Sequence, residues 1–145
     1  MNAHNKDNRP IGQTENGTFQ IGTRRTFPID IDTTWLLLVS EPGLVVWLGE
    51  VPESGWRVVK GVSYATKDGT RGEIRVVNER VNIRLSWQPR NWSHASTVQV
   101  RVIPAAHSGT TVSFHQEGLV NVREREVMRR HWLEVLEKLE GLIVE

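Results

Sequence analysis

Cysteine is absent from this sequence, which rules out disulfides, thiolate nucleophiles and cysteine-rich metal sites and suits a reducing compartment, with the cytoplasm as the default expectation. Net charge is nearly absent as well. With 18 basic against 17 acidic side chains in 145 residues, no field of one sign draws nucleic acid or an anionic membrane, so a partner has to be chosen by shape. Long apolar runs are missing too. Nothing approaches the roughly 20 apolar residues of a membrane span, and the polar N-terminus lacks the apolar centre of a secretory signal.

What the chain does have is tryptophan, six residues spread along its length, so large apolar anchors are available to core and pocket walls alike instead of forming one surface patch. The length suits a single core. Residues 1–17 read as a disordered polar leader and residues 18–145 as one domain. Thr18 to Phe27 alternates in part and carries β-branched and aromatic residues, the pattern of a first strand. Asp30 can cap a short helix over Ile31 to Val39 that buries Trp35, and Ser40 can cap a second one, SEPGLVVWLG, ended by Gly49.

From Trp56 the pattern changes to short runs divided by turns: WRVVKGVSYAT, RGEIRVV and VNIRLSW, with a hairpin signal at Asp68-Gly69. Val81, Ile83, Leu85 and Trp87 share one face of a strand and Asn82, Arg84 and Ser86 the other. Val98, Val100 and Val102 alternate in the next strand, and Val112 and Phe114 in the one after it, joined by His107-Ser108-Gly109. The last segment shifts to spacings of three and four, with Met128, Trp132, Val135, Leu136, Leu139, Leu142 and Ile143 on one side of a long amphipathic helix.

This order excludes a doubly wound fold and gives α+β. About six antiparallel strands form a curved sheet whose apolar face can be covered only by the C-terminal helix, a helix-grip arrangement with two short helices after the first strand. Aromatic and branched residues between sheet and helix would enclose a concave apolar cavity.

Several segments in this order resemble the activator-of-heat-shock-protein-90-ATPase-homologue-like family of the START and birch-pollen-allergen-like (SRPBCC) superfamily. They are W…EPGLVVWLG (Trp35 to Gly49), KDGTRGEIRVV (Lys67 to Val77), IRLSWQPRNWSHASTVQVRV (Ile83 to Val102), GTTVSFHQEGL (Gly109 to Leu119) and HWLEVLEKLEGLI (His131 to Ile143). The resemblance implies the helix-grip fold, a hydrophobic pocket and, as an alternative role, regulation of a heat-shock chaperone ATPase.

The residues expected to line the cavity are Trp47, Trp56, Tyr64, Ile74, Leu85, Trp87, Val100, Phe114, Met128 and Trp132, with core packing as the competing role, above all for Trp132. Trp87 ends a strand and precedes the loop Gln88 to Ser96, so Trp47, Trp87 and that loop should converge at the cavity mouth, with Trp92 exposed as a lid or partner anchor. His94, His107 and His115 lack the close spacing of a metal site. Glu73 alternates with Ile74 and should face water, Asp30 and Asp32 suit capping, and no serine sits in a nucleophile elbow. The sequence thus points to a module without catalytic residues, cofactor or metal that binds a small apolar or aromatic, lipid-like molecule. A chaperone regulator and a cavity-based hydrolase or cyclase are the alternatives, and self-association into a homodimer stays open.

Overall fold

The computed structural model describes residues 11–14 and 17–143. Six strands, β1 (Phe19–Phe27), β2 (Ser63–Ala65), β3 (Arg71–Asn78), β4 (Asn82–Trp87), β5 (Ser96–Pro104) and β6 (Thr110–Leu119), form one antiparallel sheet in the order β1-β6-β5-β4-β3-β2. The sheet grips a single long helix, α3 (Val122–Gly141), which packs on β1 and β6 and meets α2 (Glu41–Trp47). Most of the 1–17 leader lies outside the described residues. Of it, Gln13 bridges to Phe19 and the Gly12 carbonyl accepts the Gln20 amide, so pairing against β1 begins ahead of Thr18.

Helix α1 (Ile31–Val39) starts where the Asp30 carboxylate accepts the Thr33 amide at 2.9 Å, a cap that also holds this carboxyl below its usual range. Thr34, Trp35 and Leu38 form its buried face. Ser40 occupies the N-cap position of α2, but its hydroxyl donates back to the Leu37 carbonyl and does not cap the helix. Helix α3 begins more tightly: Asn121 Oδ1 accepts the Glu124 amide, and the Glu124 carboxylate reaches back to the Val120 amide.

The structure departs from the sequence expectations at three places. The second strand starts at Ser63 and not near Trp56, because Val59 to Val62 closes a turn around Gly61, whose φ is +90°. Val81 is half exposed, outside β4, since the turn through Arg80 places it before the ladder begins. Leu142 is exposed beyond the end of α3, so the helix's buried face consists of Met128, Trp132, Val135, Leu136 and Leu139.

Candidate functional site

The inward rows of the sheet run across strands. Ile74, Leu85 and Val98 pair in register on β3, β4 and β5, and Ile83, Val100 and Phe114 on β4, β5 and β6. Six of these side chains are sealed from solvent. Onto them α3 lowers Met128 and Trp132. Phe114 and Trp132 stack with centroids 4.6 Å apart and planes 10° apart, Trp47 leans on Phe114 at 5.9 Å, and Trp87 on Trp132 at 5.2 Å. Trp47 and Trp87, expected to converge, stand instead at the two ends of this series with Phe114 and Trp132 between them, and the four rings make one aromatic cage between sheet and helix. Where a concave apolar cavity was expected, these rings touch one another.

Trp56 and Tyr64 belong elsewhere. They meet edge to face at 6.4 Å beside β2, and Trp56 lines a half-open groove of about 820 Å³ formed by Val39, α2 and residues 49–57. Glu41, Glu50, Glu53, Arg57 and Lys67 contribute to that lining, and Lys67 pairs with Glu50 at 3.0 Å. A groove so charged suits an apolar guest poorly. The Tyr64 hydroxyl donates to the Ser86 carbonyl at 2.7 Å, and burial pushes its pKa well above the usual phenol range. Tyr64 is thus a structural anchor of β2, spent on the backbone.

A buried polar chain crosses the cage. Trp132 Nε1 donates to Gln116 Oε1 at 2.8 Å, Gln116 Nε2 to Ser96 Oγ at 2.9 Å, and Ser96 Oγ to the Trp87 carbonyl at 2.8 Å. Sequence reading missed Gln116 and Ser96. The available signal was Gln116's position two residues after Phe114, on the inward face. It missed His131 as well, which lies beside Trp132 and Trp87 with ring centroids 4.6 and 6.0 Å away. Burial pushes the His131 pKa below its usual value, against a weaker upward pull from Glu134. Trp87 Nε1 and His131 Nε2, together with Thr23 Oγ1 on β1, are buried with no hydrogen-bond partner among the described residues.

The loop from Gln88 to Ser96 covers this end of the cage. Gln88 Nε2 donates to the Trp92 carbonyl, Trp92 stacks on His94 at 4.7 Å, and His94 Nε2 contacts Glu124 of α3 at 3.0 Å. Trp92, expected to be exposed, is half-buried against the core. His115 lies opposite Phe114 and meets Gln20, while His107 occupies the turn after β5. Glu73 faces solvent, 3.9 Å from Arg75. Among the described residues no three histidine or carboxylate side chains converge on a metal position, and no helix is long and apolar enough to cross a membrane.

Solved structures share this architecture. CalU16 from Micromonospora echinospora superposes with a TM-score of 0.74 at 17% identity, covering 87% of this chain and 74% of that one. MLL2253 from Mesorhizobium loti gives 0.71 at 19%, over 86% and 96% of the two chains. PFC0360w, described as an HSP90 activator from Plasmodium falciparum, gives 0.68 at 16%, over 86% and 95%. No curated protein is a significant match in sequence. The family described as Activator of Hsp90 ATPase homolog 1-like protein matches residues 29–143, nearly the whole helix-grip domain, and the chain belongs to that family.

Proposed function

We propose that the protein binds a small apolar or aromatic molecule between the sheet and α3, as a non-catalytic binding or carrier module. The observation that supports this is the cage: Trp47, Trp87, Phe114 and Trp132 come from four different elements and meet in one series of ring contacts, Phe114 stacked on Trp132 and the other two tilted against them. Such rings accept a planar guest by stacking and area burial. Because the rings already touch, a guest enters by shifting the minor population in which they part, with the Gln88 to Ser96 loop as the cover that yields. The Ser96 hydroxyl in the cage is engaged by the Trp87 carbonyl and Gln116, and the reading assigns it no reaction.

Thermal shift and tryptophan fluorescence against lipids, flavonoid-like aromatics and hydrophobic antibiotics test it. A ligand at 100 times its Kd adds about 2.7 kcal/mol to stability. The fluorescence response should survive Trp56→Phe; its loss there would move the site to the outer groove. Silence across the panel in both measurements would sink the reading.

One observation favours a second role. PFC0360w, described as an HSP90 activator, shares this fold over 95% of its solved chain. Measuring the ATP turnover of the 90-kilodalton heat-shock chaperone with excess protein decides it, and an unchanged rate dismisses it.

A further inference from the structure

Three tryptophan side chains around the core have their indole N–H satisfied: Trp47 by the Leu38 carbonyl, Trp56 by the Ser63 carbonyl and Trp132 by Gln116. Trp87 differs. It is 4% exposed, and its Nε1–H, which can only donate, has no acceptor among the described residues. The neighbouring ring, His131, carries the second such atom, Nε2. Interiors pair nearly all buried polar atoms, with protein, water or a bound molecule. Here two unpaired ones sit on rings whose centroids are 6.0 Å apart, one at the end of β4 and one on α3. Rings this close leave both nitrogens in one neighbourhood of the interior, where one oxygen would serve the two.

We propose that Trp87 and His131 form a two-point receptor for an oxygen at the edge of a planar aromatic guest, of the phenol or aromatic-ketone class. This rests on the interior-binding reading above and adds the polar group that the guest must carry. The indole N–H donates to that oxygen. A neutral imidazole accepts a phenolic O–H at Nε2 or, as the other tautomer, donates to a carbonyl. Burial keeps the imidazole neutral, and the charged groups acting on it, Glu134 and Lys138 of α3 and Asp68 of the β2–β3 turn, leave the lowering dominant. The guest's ring continues the stack of Trp132 on Phe114, which Trp87 meets through Trp132.

The test compares 1-naphthol and 2-acetylnaphthalene with 1-methylnaphthalene, which has similar shape and no oxygen, by titration calorimetry on the full chain. The oxygen-bearing probes should bind about tenfold more tightly, the size of one or two well-made hydrogen bonds. In Trp87→Phe and His131→Phe the ratio of oxygen-bearing to hydrocarbon affinity should fall toward one, each variant being compared across its own three probes; a ratio still near ten in both overturns the receptor. Should either variant fail to fold, the wild-type Trp87 indole N–H resonance answers in its place: it should move downfield with 1-naphthol, as a newly hydrogen-bonded N–H does, and show no downfield move with 1-methylnaphthalene. Equal affinities with an unmoved resonance overturn the receptor and leave interior binding standing, the pair then being served by a buried water. Absence of binding by every probe overturns both.

Discussion

His131 is the side chain whose protonation should govern behaviour near neutrality. Its folded pKa lies below the value of 6.5 taken for the unfolded chain. Between those two values the unfolded state binds more protons, so the contribution of His131 to stability is intact above 6.5 and is lost as pH falls toward the folded pKa. Melting temperatures recorded by calorimetry from pH 7.5 to 5.5 should therefore fall, and His131→Gln should flatten the slope; an undiminished slope in the variant would assign the proton to another group. Gly72 offers a test of close approach. A methyl there would stand 2.0 Å from the Ser86 carbonyl oxygen and 2.8 Å from Tyr64 Cε1, the carbonyl on which the Tyr64 hydroxyl already rests. Gly72→Ala should cost about 1–3 kcal/mol in urea denaturation. Neither residue announced itself in sequence: His131 looked like one more polar position of an amphipathic helix, and Gly72 like an ordinary strand glycine, because each is defined by a neighbour far away in the chain.

Among elements, α1 and α3 were legible because caps and apolar spacing agree. Asp30 and the run from Ile31 to Val39 specify one helix, and Met128, Trp132, Val135, Leu136 and Leu139 specify the buried side of another. Leu136 is fully buried while Glu137, the next residue, faces solvent. Leu136→Ala should cost about 2–5 kcal/mol, and Glu137→Ala within about 0.5 kcal/mol, both from chemical denaturation; comparable small losses would put the wrong face inward. β2 was illegible at its start. The β-branched run Arg57 to Val62 promises extension, yet the left-handed backbone at Gly61 folds it into a turn, and tertiary pairing of the Gly61 amide and Val62 carbonyl with Ile74 overrides propensity.

At the scale of the molecule, the order of elements and the family-like segments were sufficient for the grip, since period changes report which faces are buried. How much room remains inside is a sum of side-chain volumes from four elements, and no periodicity carries that sum; hence the cage appears where a concave apolar cavity was expected. The chain Trp132–Gln116–Ser96–Trp87 ties α3, β6, β5 and β4 together. Gln116→Leu keeps the apolar bulk and strands the Trp132 indole N–H, so it should cost about 1–3 kcal/mol by calorimetry, and a neutral result would mean that the indole finds another acceptor. The same chain has a mechanical meaning. A helix held only by smooth apolar contacts could advance along the sheet by one turn, about 5.4 Å, and settle again. Trp132 is keyed to one glutamine on one strand, so a travel of α3 along its axis would break that bond. Sliding would strand both partners of that key, whereas a swing at the end where His94 meets Glu124 would leave it whole.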